Sequence, residues 1–329
     1  MRAAFSLLAI CLLACAAPPP PASPPPSASA APGPAPSHEP PPDLAASPEP
    51  PPAIPPPAVP RTARAAALLD PRLVAARDAI ATGGSARAKL ELLAILATSQ
   101  RDGPIDVTMS AAALAGRAAV SLGDRREAAK HFQTAVDAWK REEARSRAVP
   151  ADDAGRRALG RSLDALGEAL FFFAEEKRLA AAAITLPRSK GTSEGFRRAM
   201  VDYLREQRRA VDEAEAAYRK IVDITPFPPP RWTVDSASRV GELWSAIADS
   251  VRAAPFPPEW LGDGPAPGGG NVTRAELRAA FRAQLDEAAA PATERARAAY
   301  RTCRALAEKL AVEDELTVRC DDWVARDQP

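Results

Sequence analysis

The sequence predicts an all-α fold. Three observations carry that expectation. Beyond residue 61 apolar residues recur three and four apart, no run alternates as a half-buried strand would, and capping residues and breakers fall at helix-length intervals. Asp70 followed by Pro71 is an N-cap with proline at the first helical position, so a helix opens there and runs to about Ala81. Gly83 and Gly84 end it, and a second helix covers about 85–99. The same spacing predicts helices at about 107–121, 124–146, 153–185, 193–224, 234–253, 273–289, 293–311 and 314–326. Short connections between long helices suggest stacked antiparallel hairpins.

Three segments divide the chain: a signal peptide over 1–14, a tether over 15–62 and a helical domain over 63–329. Arg2 precedes a short apolar run from Leu7 to Ala14, the layout of a secretory signal. Leu12, Leu13, Ala14 and Cys15 resemble a bacterial lipobox, which implies that Cys15 becomes the acylated first residue. The alternative is an ordinary signal peptide cut after Ala17. Between Pro18 and Pro60 lie 21 of the chain's 36 prolines, with Ala and Ser filling most of the remainder. So little apolar bulk cannot offset ordering entropy, and proline density favours extended polyproline II. Such a segment spaces a domain from a membrane by up to about 130 Å. Ala16 after the lipidated cysteine, instead of an aspartate, implies an outer-membrane anchor with the domain in the periplasm.

Net charge is +1 from 43 basic and 42 acidic residues, so no global field favours nucleic acid or an anionic surface. The membrane is reached only through the N-terminal lipid, since no segment is long and apolar enough to span it. Enzymatic signals are missing. The only histidines, His38 in the tether and His131 beside Phe132, make a His-clustered zinc site or a Ser–His–Asp triad improbable. Ser189-Lys190-Gly191-Thr192 lacks the upstream glycine of a phosphate loop, and Gly268-Gly269-Gly270 leads into the Thr273…Glu276 capping box. No cofactor and no metal are expected.

Ala112, Ala115-Gly116, Ala119, Gly123, Ala128, Phe132 and Ala135 follow the spacing of the tetratricopeptide repeat, which this stretch resembles. A later helix carries Ala214, Tyr218, Ile221 and the closing Pro226 of the same pattern, and Val240-Gly241 with Trp244 matches the start of another. The earlier half of the 211–226 unit falls at Leu163, Leu166-Gly167 and Leu170, with 171–210 read as an insertion. An unrelated alanine-rich bundle is the alternative. The segments around Pro226–Trp232, Val240–Trp244 and Pro255–Trp260, and the helix bearing Tyr300 to Cys303, resemble envelope tetratricopeptide proteins linked to bacterial adventurous gliding motility. That resemblance implies a place in a multiprotein envelope assembly and supplies no catalytic residues.

Two constellations stand out as candidate sites. The proline–phenylalanine–tryptophan segments 226–232 and 255–260 flank one helix as rigid extended connectors. Trp232 with Arg231, and Trp260, are the candidate partner-binding residues, because tryptophan on a rigid loop is a good interface anchor. The alternative is that these aromatics plug the core. Cys303 shares an apolar stripe with Tyr300 and Leu306, and Cys320 one with Leu316 and Trp323. An oxidising envelope then favours a Cys303–Cys320 disulfide over two buried thiols. The expected function is a lipid-anchored adaptor binding another envelope protein. A cell-wall-acting enzyme or accessory, and a ligand-capture lipoprotein, are the rivals.

Overall fold

The computed structural model describes residues 70–143, 149–187, 193–267 and 271–326; Cys15, the segments read as signal and tether, and residues 188–192 and 268–270 lie outside them. The described residues form nine α-helices and one 3-10 turn, with no strand beyond an isolated bridge between Pro265 and Thr273. We number the helices α1 (Pro71–Ala81), α2 (Ser85–Asp102), α3 (Ile105–Ser121), α4 (Arg125–Glu143), α5 (Asp153–Ala182), α6 (Ser193–Val222), α7 (Pro230–Arg252), α8 (Arg274–Leu310) and α9 (Glu315–Arg326).

Local chemistry sets most of the ends. The Asp70 carboxylate accepts from the Arg72 backbone N–H with Pro71 at the first helical position. Asp124 and Asp152 accept from the backbones of Glu127 and Gly155, capping α4 and α5. Thr273 and Glu276 form a reciprocal capping box on α8.

Packing is ordered along the chain. Each helix rests on the next, and the odd-numbered helices α1, α3, α5, α7 and α9 also touch in sequence, so the hairpins form a row. The α3–α4 hairpin is close because its facing residues are small: Ala112, Ala115, Gly116 and Ala119 are buried against Ala128, Phe132 and Ala135. A Cβ on Gly116 would stand 2.8 Å from the Phe132 ring, so only glycine fits. Two charge pairs then fix α3 against α5: Arg161 donates two N–H groups to one oxygen of Asp106, and Arg117 grips both oxygens of Glu168 at 2.7 Å. A deeper network joins α5, α6 and α7, where Glu175 accepts from Arg178 and Tyr218 and pairs with Arg239 at 3.1 Å. Burial pushes the Glu175 carboxyl up. Those hydrogen bonds and the Arg239 charge outweigh it and hold the group below its ordinary range.

Three sequence expectations are corrected. The stretch 171–210 is no inserted module: α5 and α6 are each 30 residues long and pack together, so the extra sequence lengthens both arms of one hairpin. The helices expected at 273–289 and 293–311 are one, α8, which continues through Pro291. A proline inside a helix costs a hydrogen bond and about 3 kcal/mol. Here Ala288, Ala289, Ala292 and Ala296 are buried on both sides of it while Pro291 is exposed, so packing against α7 outweighs that cost. The third correction concerns α7, which starts at Pro230, four residues before the expected 234. The rigid connector therefore ends at Pro229, and Arg231 and Trp232 lie in a helical turn.

Cys303 on α8 and Cys320 on α9 are joined, with Cα atoms 6.3 Å apart and both residues fully buried. Closing a loop of this length contributes about 3 kcal/mol in the chain-entropy account. Replacing both cysteines by alanine should lower the unfolding free energy of exported protein by about that amount, read from urea titration. An unchanged midpoint, with both thiols of the wild-type protein open to labelling, refutes the bond.

Candidate functional site

Trp232 and Trp260 occupy opposite environments. Trp232 is only 7% exposed; its Nε1–H donates to Asp164 at 3.0 Å and its ring packs 5.2 Å from Phe171 on α5. Arg231 lies 4.9 Å over the same ring and 3.6 Å from Asp235. The expected partner-binding role does not suit a tryptophan so placed, because the Pro230 start turns its indole into the seam between α5 and α7. Arg231 remains half exposed at that seam. Phe227 is likewise half buried against the core, as the plugging alternative requires.

Trp260 lies in the connector between α7 and α8, closing a 3-10 turn over Pro258–Trp260. It is half buried, and its ring meets Phe281 of α8 edge-on at 5.5 Å. Phe256 lies 5.9 Å from the same Phe281 ring. Leu261, next in sequence, is exposed. These three rings form a satellite cluster beside the main core.

An arginine row holds the connector in place. Arg274, Arg278 and Arg282 recur at four-residue spacing on one face of α8. Arg278 donates to the carbonyl oxygens of Trp260 and Gly262, each at 2.7 Å, and Arg274 donates to that of Asp263 at 3.0 Å. Arg282 donates to the carbonyl of Arg252 at 2.5 Å and lies 4.5 Å over the Phe256 ring. Gly262 and Gly264 take left-handed φ angles of 79° and 103°, which let the chain fold back under this row. A bridge from Ala266 N–H to the Val272 carbonyl closes the connector.

A cleft of about 410 Å³ lies between α7, α8 and α9. Ala248 and Ala296 form its floor, Tyr300 and Trp323 stack 4.7 Å apart at one wall, and Arg252, Thr293 and Arg326 line the rim. Arg252 donates to the Thr293 hydroxyl at 2.9 Å. Trp244 lies farther along the α7–α8 groove between Arg208 and Arg295, 5.0 and 4.4 Å from its ring, and donates to Glu215.

Sequence reasoning missed a carboxyl pair. Asp235 on α7 is 2% exposed and meets Asp314, the residue capping α9 through the backbone N–H groups of Leu316 and Thr317. Burial first, and then Asp314 beside it, push the Asp235 carboxyl up to about 7, against the opposing pull of Arg231 and Arg239. The two aspartates are far apart in sequence, so no spacing rule finds them. Among the described residues no group of three or more His, Cys, Asp or Glu side chains converges as a metal site, and no helix is long and apolar enough to cross a membrane. Comparison with protein-family models, curated proteins and solved structures returned no match.

Proposed function

We propose that the protein is a lipid-anchored cell-envelope adaptor that binds another protein through its row of helical hairpins. The observation that carries this reading is the half-exposed Phe256–Trp260–Phe281 cluster, held beside the core by the arginine row of α8. Aromatic rings fixed in place bury much area at little entropic cost, which is what an interface anchor needs. The hairpin row and the close glycine–aromatic contact between α3 and α4 support the tetratricopeptide likeness, and the binding role follows from how such arrays use their surfaces.

Trp260 is the expected anchor. Trp260→Ala should weaken capture of the envelope partner about thirtyfold, the effect of removing about 2 kcal/mol at an interface centre, with little change in melting temperature. Capture is read by affinity purification from membranes followed by mass spectrometry. Wild-type capture by the variant ends the assignment of Trp260 to the interface.

The anchor is tested separately. Cys15→Ser should move the protein from the membrane to the soluble fraction, because several acyl chains hold a protein where one does not. Unchanged fractionation, with no acyl mass on the N-terminal peptide, contradicts lipidation.

A second reading, capture of a small ligand, is favoured by the 410 Å³ cleft with its stacked Tyr300–Trp323 wall. Native mass spectrometry of protein purified from envelopes distinguishes the two, since a retained small molecule supports capture and a clean apo mass supports the adaptor.

A further inference from the structure

We infer that the aromatic and arginine surface around Trp260 is a docking site for the acidic proline-rich segment of the same chain, centred on residues 39–52. The surface has two features that select a partner. Phe256, Trp260 and Phe281 present adjoining half-exposed rings, and extended proline-rich chains are recognised by grooves of such rings because polyproline II is ordered before binding. Arg274, Arg278 and Arg282 surround those rings, and the hydrogen bonds they make run to carbonyl oxygens of residues 252, 260, 262 and 263. Carbonyl oxygens carry no net charge to balance the guanidinium groups, and Arg274 Nε is buried without a hydrogen-bond partner, so an occupant rich in carboxylates fits.

The chain carries a segment with both properties. Residues 39–52 contain Glu39, Asp43 and Glu49 among seven prolines, six of them in the runs Pro40-Pro41-Pro42 and Pro50-Pro51-Pro52. No lysine or arginine occurs between Cys15 and Arg61, so nothing in the tether repels the arginine row. Reach is sufficient. At about 3.1 Å per residue the chain from Glu49 to Asp70 spans up to about 65 Å. Helices pack about 8–10 Å apart, so the row from α1 to the α7–α8 connector extends about 40–50 Å. The inference uses the same surface as the proposed adaptor role, but its test needs no partner.

Full-length Cys15→Ser protein carrying a photo-crosslinking benzoylphenylalanine at the exposed Leu261 position is irradiated and mapped by mass spectrometry. Crosslinks should concentrate in residues 39–52. The triple change Glu39→Lys, Asp43→Lys, Glu49→Lys lies outside the helical domain and should reduce the yield at least about threefold, as expected for three rim charge pairs. Raising salt from 0.05 to about 0.5 M should do the same. Crosslinks confined to the helical domain, or an unchanged yield in the triple variant, overturn the docking. Irradiating a mixture of isotope-labelled and unlabelled chains tests the source. Products of single isotopic origin support docking within one chain, and mixed products overturn it in favour of a second copy. Partner capture that fails with Trp260→Ala while these crosslinks are absent leaves the adaptor reading intact and removes only the tether.

Discussion

Trp232→Ala should destabilise the protein by about 3–5 kcal/mol, as expected for truncating a buried aromatic side chain. The ring fills the seam between α5 and α7, touching Phe171 on one side with Arg231 over it. Removing it leaves a void that cannot close, because Gly167 already brings the α5 backbone as near as the ring allows. A Cβ at that glycine would stand 2.5 Å from Trp232 Cδ1 and 2.6 Å from Pro229 Cγ. Gly167→Ala should therefore destabilise as well, by overpacking of about 1–3 kcal/mol. Trp232→Phe keeps most of the packing and loses the hydrogen bond to Asp164, at a cost of about 1 kcal/mol. The check is urea unfolding followed by circular dichroism, alongside partner capture well below the transition. A Trp232→Ala protein with wild-type stability and lost capture would restore the surface role expected of it from sequence.

That contrast between two tryptophans in similar sequence settings shows what was legible. Caps read correctly where a local rule decides them, as at Asp70-Pro71 and the Thr273–Glu276 box. The α3–α4 hairpin was legible for a similar reason, since small residues at fixed spacing have one physical use. The α8 helix was misread at Pro291 because the local penalty of proline is visible in sequence and the burial of four flanking alanines is not. The direction taken by Trp232 depended on whether α7 begins at Pro230 or beyond it, and either start satisfies proline chemistry. Contact with α5, 68 residues earlier, decided it. The bracing of Trp260 by Arg278 was equally hidden, for arginines four apart on a helix ordinarily signal only an exposed face.

The Asp235–Asp314 pair yields the second large effect, a stability that falls as pH rises toward neutrality. Folded, Asp235 keeps its proton up to about pH 7 because burial disfavours the charged form and Asp314 stands beside it. Unfolded, an aspartate titrates near about 3.9. Between about pH 4 and pH 7 the folded state thus binds more protons than the unfolded state, so unfolding free energy declines across that window and levels off above it. At about 1.4 kcal/mol per pH unit the whole decline is about 2–4 kcal/mol, the lower figure allowing for water reaching the pair. The groups facing it are Arg231, 3.6 Å from Asp235 and 3.9 Å from Asp314, and Arg239 on the same helix. His131 works in the opposite sense. Its burial lowers the imidazole below its ordinary value, so it adds stability as pH rises through the range just under 6.5. Comparing variants at each pH cancels that contribution. Asp235→Asn, neutral at every pH and still able to meet Asp314, should track wild type below about pH 4 and exceed it by about 2 kcal/mol or more at pH 8. Parallel pH profiles for the two proteins would show that Asp235 is ionised throughout. The expected divergence would identify the contact between α7 and the cap of α9 as the part of the domain that weakens as pH rises from about 4 to neutrality.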